Sequence, residues 1–163
     1  MFAWLDRFQP LGLLIARLVL GAIMLVHGWH KIFPRGSLYN FTQSVGHLGL
    51  PSWLGYVAAF TEFFGGALLI IGLLVPIAAL GIAIDMAVAI IKVHLHHGLT
   101  GSQGFELPLS LFALALLILF SGPGYLAVDS TLESGEADDK ATRERSQKIL
   151  KLYFQNIQEM IVL

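Results

Sequence analysis

The sequence predicts an all-α membrane protein. It reads as an antiparallel bundle of four transmembrane helices in residues 1–129, followed by a charged linker and an amphipathic tail helix in residues 130–163. Three observations lead there. Of the 163 residues, 56% are hydrophobic and only 13% charged, against about 25% charged in a soluble domain. Mean hydropathy is +0.73. The apolar residues gather in four runs, each ended by a turn signal or a cluster of polar groups.

The runs are Leu11 to His27, Leu54 to Val75, Pro76 to Val93 and Leu107 to Phe120. A span needs roughly 17–25 residues, so the fourth is short unless Glu106 and its neighbours lie in the headgroup region. Gly122-Pro123-Gly124 cannot continue that helix. The Val75-Pro76 junction is tight enough to force an antiparallel hairpin, and proline is tolerated in a first helical turn because its missing N–H has no partner there. The longer loop from Ile32 to Trp53 has room for a short interfacial helix over Asn40 to Leu48, with Trp53 and Tyr56 as headgroup anchors. Beyond Asp129 the chain turns polar. Ile149, Tyr153, Ile157 and Met160 then recur at helical spacing, the mark of an amphipathic helix.

Several function classes fall away. A net charge of -1 with no basic stripe argues against nucleic acid. With no cysteine there are no disulfides, no thiol chemistry, no thiolate-held iron–sulfur cluster and no c-type haem attachment. Asp6 and Arg7 precede an apolar run longer than a signal h-region, so the N-terminus does not read as a cleaved signal peptide. His27, His30, His94, His96 and His97 follow no zinc spacing and include no i, i+4 pair, so haem or metal is not expected.

The ionisable residues point the other way. His27, His30, Lys31, Lys92, His94 and Glu106 all fall near one face of the bilayer. Counting about 1.5 Å per residue from it, Glu62 lies about 13 Å, Asp85 about 15 Å and Arg17 about 20 Å deep. Helical phase puts Arg17, Gly21, Met24, Gly28 and Lys31 on one face. It puts Glu62 with Gly65, Gly66 and Leu69 on another, and Asp85, Val88, Ala89 and Lys92 on a third. Each charged face carries small residues that let helices approach closely in lipid, so the charges should point into the bundle. An unpaired charge at mid-bilayer costs about 2.5–3.5 kcal/mol. Arg17 and Asp85 are therefore expected to pair, with the opposite half of the bilayer apolar. Glu62, Lys92 and His94 are expected to line a polar pocket as its catalytic groups, with His27 and Lys31 at its mouth and Arg17, Asp85 and Glu106 as further ligand contacts. Lipid-headgroup contact is the plainer reading for His27 and Lys31.

The same residues carry a family likeness. Arg17-Leu-Val-Leu-Gly21, His27-Gly28-x-x-Lys31, Leu48-Gly49-Leu50-Pro51, Glu62-x-x-Gly65-Gly66-x-Leu68-Leu69-x-x-Gly72, Met86-x-x-Ala89, Val93-His94, Gly104-Phe-Glu106 and Gly122-Pro-Gly124 follow in order, with Asp129 five residues on. In these the chain resembles the DoxX family of small membrane proteins, from about residue 11 to 129. The resemblance implies a four-helix bundle and a redox association. Its relatives include the membrane subunit of a thiosulfate:quinone oxidoreductase, catechol- and quinone-linked proteins, and a component of a mycobacterial membrane oxidoreductase complex. By position it also implies roles for Arg17, His27, Lys31, Glu62, His94 and Glu106, whereas Asp85 and Lys92 rest on depth and phase alone.

The expected function is a bacterial inner-membrane subunit of a redox system, taking a quinone or a small anionic reductant into the polar pocket. The chain carries no flavin, iron–sulfur or haem motif, so a bound quinone or a partner protein would carry the electrons. The alternative is a non-catalytic scaffold whose tail recruits a soluble redox or stress-response enzyme. A small transporter is a third reading, and a homo-oligomer is compatible with each.

Overall fold

A computed structural model describes residues 7–124 and 126–130, with 140, 144, 147 and 148. Residues 1–129 form one compact unit and 130–163 a second. Of the second, Lys140, Glu144, Gln147 and Lys148 are helical and exposed. The apolar residues expected to make the tail amphipathic, Ile149, Tyr153, Ile157 and Met160, lie outside the described residues.

The first unit is helical. Helix α1 covers Gln9–Ile32, α2 Ser37–His47, α3 Trp53–Ile71, α4 Val75–Ala89 and α5 Glu106–Ser121. A π-helical turn, Ile90–His94, and a short 3-10 turn, Leu95–His97, prolong α4. Three of these segments are long and apolar enough to cross a membrane: Gln9–Ile32, Trp53–Ile71 and Val75–His97. Helix α5 is as apolar but has 16 residues, about 24 Å against a hydrocarbon core of about 30 Å. Side chains such as Ile77 and Phe120, 66% and 81% exposed, are out of place in water and at home in lipid.

Glycine sets how the helices meet. Helix α1 packs most extensively on α3, and α4 on α5 and α3. A methyl group at Gly66 would lie 2.5 Å from the Leu25 nitrogen and 2.7 Å from the Gly21 oxygen. One at Gly21 would lie 2.8 Å from the Gly66 oxygen. The α1 and α3 backbones therefore touch, as small residues permit in lipid. The α1 and α3 faces expected from phase are the buried ones: Arg17, Gly21, Met24 and Gly28, then Glu62, Gly65, Gly66 and Leu69. On α4 the reading changes. Its core contacts come from Ala78, Ala79, Ile82, Ala83 and Met86, while the strip through Asp85, Val88, Ala89 and Lys92 borders a cavity.

The end where α3 turns into α4 departs furthest from expectation. Arg17 does not pair with Asp85. Its Nη1 donates to the Pro123 carbonyl at 2.6 Å and Nη2 to that of Leu126 at 3.3 Å. The carbonyls of Pro123 and Leu126 follow the end of α5, outside any helical ladder, where lipid cannot satisfy them, and the long guanidinium side chain reaches them. Asp129 performs the reverse service. Its Oδ1 and Oδ2 accept from the Leu74 and Val75 N–H groups at 2.9 and 2.8 Å, satisfying donors that open α4. Gly72, at φ 79°, ends α3, and a side chain there would strike Ala127 and Arg17. This half of the unit is thus not purely apolar, contrary to the one-sided charge expected from depth.

Two predictions follow from these contacts. Gly66→Ala should destabilise the protein by about 1–3 kcal/mol through overpacking, whereas Gly12→Ala, with nothing within 4 Å, should not; thermal unfolding in detergent reads the difference. Asp129→Ala should cost about 1–2 kcal/mol, in the range of a lost helix cap, and Asp129→Asn less; unfolding of the three proteins side by side checks the order.

Candidate functional site

A cavity of about 440 Å³ lies between α2, α3 and the α4 segment with its π-helical turn, and Lys31 of α1 also lines it. Its walls are mainly aliphatic, including Val45, Leu54, Val57, Ile84 and Val88. The polar exceptions are Lys31, Thr61, Glu62, Asp85, Lys92 and His94. An apolar cleft with a few convergent polar groups is the usual form of a small-molecule site.

The ion pair comes from α1 and α3. Lys31 Nζ donates to Glu62 Oε1 at 2.7 Å. Glu62 is 2% exposed and Lys31 26%, so the carboxylate is buried and the ammonium only partly so. The backbones of α1 and α3 are in contact, so the two side chains sit opposite one another on adjoining faces. Lys31 also lies 4.2 Å from the centre of the Phe41 ring of α2, a cation–π contact. Helix α2 is held against α3 by another close approach, where a methyl at Gly55 would lie 2.8 Å from Thr42 Cα. Asp85 comes from α4 and interacts electrostatically with both Glu62 and Lys31. One ammonium thus serves two carboxyl groups.

The π-helical turn delivers the remaining polar groups. Leu95 N–H bonds to the Ile90 carbonyl five residues back, which widens the turn and alters the direction of the side chains after it. In a regular helix Lys92, Val93 and His94 would spread over about 200°, yet all three line the cavity. Lys92 is exposed and His94 half-buried. His94 Nδ1 lies 2.8 Å from the Gln103 carbonyl. A carbonyl only accepts, so Nδ1 carries the hydrogen, which leaves Nε2 as the nitrogen free to exchange a proton. The loop supplying Gln103 is closed by Phe105 N–H to the Gly98 carbonyl and Glu106 N–H to that of Leu99, at 3.1 and 3.0 Å. Gly104 admits that closure, since a methyl there would lie 2.6 Å from the Leu99 oxygen.

The structure therefore gathers Lys31, Glu62, Asp85, Lys92 and His94 around one cavity. It does not bring the other three expected residues there. Arg17 is committed to the carbonyls after α5, and His27 and Glu106 are exposed and outside the lining. Their phases explain it: His27 precedes Gly28, whose face is packed on Phe63 of α3, and Glu106 opens α5, which borders α4 on another side. Lys31 lines the cavity, paired with Glu62. Among the described residues no three His, Asp or Glu side chains gather as metal ligands would. Sequence reasoning missed Phe41 and Thr61, which carry no charge to mark them. Asp129 was visible only as a motif residue. Its signal is an acidic side chain following a helix-breaking Gly-Pro-Gly, available to cap another helix.

Known proteins place this arrangement in context. A family model described as DoxX matches residues 12–95, which includes Lys31, Glu62, Asp85, Lys92 and His94. A Bacillus subtilis protein named "Putative oxidoreductase CatD" is 32% identical over 132 residues, covering 81% of this chain and 95% of its own length. An uncharacterized protein of Haemophilus influenzae is also 32% identical over 132 residues, covering 77% of this chain and 94% of its own. No solved structure matches.

The ion pair yields a double-mutant test. Lys31→Met should strand a buried carboxylate and destabilise the protein by up to about 3 kcal/mol, limited by the partial exposure of Lys31. Adding Glu62→Gln should recover most of that loss, with denaturation of both singles and the double reporting the coupling.

Proposed function

The chain belongs to the DoxX family, and from that premise we propose that it is a membrane-embedded subunit of a redox system whose cavity receives a quinone head group. The observation that carries this reading is a Lys31–Glu62 pair, its carboxylate buried, lining a cavity with mainly aliphatic walls. A quinone matches both parts. Its ring and isoprenoid chain suit the walls, and its carbonyls accept from the Lys31 ammonium, which has three donors and gives one to Glu62.

The roles divide by position. Lys31 polarises a quinone carbonyl, while Glu62 and Asp85 hold or release the proton that a change of redox state requires. His94, fixed through Nδ1, takes or gives a proton at Nε2 toward the loop side. Lys92 adds positive charge at the mouth. A small anionic reductant suits the floor less well, because one ammonium there already serves two carboxyls. Helix α5 completes four antiparallel spans, its short length offset by Glu106 and the loop before it lying among headgroups. Electrons enter and leave through the quinone and a partner protein. The bacterial relatives support a bacterial cell membrane as its location.

Binding of a short-chain quinone analogue to the full chain in lipid nanodiscs tests the reading. Ala89→Trp fills the cavity without touching the ion pair and should weaken binding at least about tenfold, a loss of roughly 1.4 kcal/mol. Unchanged affinity in that variant, or no binding to the unaltered chain, would contradict it.

A further inference from the structure

Glu62 holds a buried oxygen that the ion pair does not use. Oε1 accepts from Lys31, but Oε2 is fully buried and finds no donor among the protein groups around it. An acceptor left so inside a protein is costly. The group at hand is the side chain of Asp85, which lines the same cavity and interacts with Glu62. Two ionised carboxylates can only accept, so a hydrogen bond between them requires a hydrogen on one. Charge counting agrees. The titratable groups lining the cavity are Lys31 from α1, Glu62 from α3, Asp85 from α4, and Lys92 and His94 from the π-helical turn. Lys92 is exposed and the His94 Nδ1 is turned to the Gln103 carbonyl, so among the described residues Lys31 is the cation in direct contact with these carboxyls. A second uncompensated negative charge beside the first is disfavoured by burial and by like-charge repulsion together.

We propose that Glu62 and Asp85 form a proton-binding pair within the membrane, holding one proton between them that Asp85 donates to Glu62 Oε2 while Lys31 neutralises Oε1. The proton belongs to the pair rather than to either residue. The pair stands independently of what fills the cavity. Only its use rests on the quinone reading, under which it is the proton store nearest the head group.

Infrared spectra of the full chain in nanodiscs at neutral pH, in H2O and D2O, test this directly. The unaltered protein should show the carbonyl stretch of a protonated carboxylic acid, shifted in D2O. Asp85→Asn should abolish that band yet remain folded and as resistant to heat, because the asparagine amide donates to Oε2 in place of the acid. Asp85→Ala should lose the band and unfold at lower temperature, since Oε2 then has no donor. Absence of the band in the unaltered chain, its persistence in Asp85→Asn, or failure of Asp85→Asn to fold each overturns the pair. Adding the quinone analogue separates the two readings. A band that is present and unmoved by analogue upholds the pair and counts against a quinone at this floor. A bound analogue with no band does the reverse.

Discussion

A charge buried in lipid must find its opposite within reach, and the Lys31–Glu62 pair is where this chain meets that demand. The pair forms because α1 and α3 touch backbone to backbone at Gly21 and Gly66, which sets Lys31 and Glu62 on adjoining faces 2.7 Å apart. Much else depends on it. Phe41 covers the ammonium, which ties helix α2 to the pair. Asp85 brings α4 to the same point, and the cavity is the space that α2, α3 and α4 leave beside it. A polar centre of this kind is expensive in a membrane and is a default sign of function.

The two ends of the unit solve different problems. At the α3–α4 turn, Arg17 satisfies carbonyls of the segment after α5 and Asp129 the N–H groups that open α4. Both bond to backbone, and the two charges also attract one another. At the other end the charged side chains face one another and a cavity. Charge held by backbone closes a fold, whereas charge held by charge beside open space can be rearranged by a ligand.

Much of this was legible in the sequence. Hydropathy located the apolar helices because lipid imposes a length and a composition on any span. Phase identified the buried faces of α1 and α3, where small residues and charges share one stripe. Depth alone misled for Arg17. Rise per residue locates a Cα, but a guanidinium reaches several ångströms further, and the carbonyls it serves lie more than 100 residues away. The gathering of Lys92, Val93 and His94 was hidden too, because a π-helical turn breaks the periodicity on which phase arguments rest. His27 and Glu106 lie near the same helix ends as the cavity residues without lining the cavity, a distinction that depth does not make.

Photoaffinity labelling with an azidoquinone in native membranes tests the central claim most directly, that the ion pair and the cavity beside it form the ligand site. The account predicts label on cavity-lining residues of α3 and α4, such as Thr61 and Val88, lost when excess unmodified quinone competes. Label confined to lipid-facing positions such as Ile77 and Phe120, or label that quinone does not displace, would contradict it.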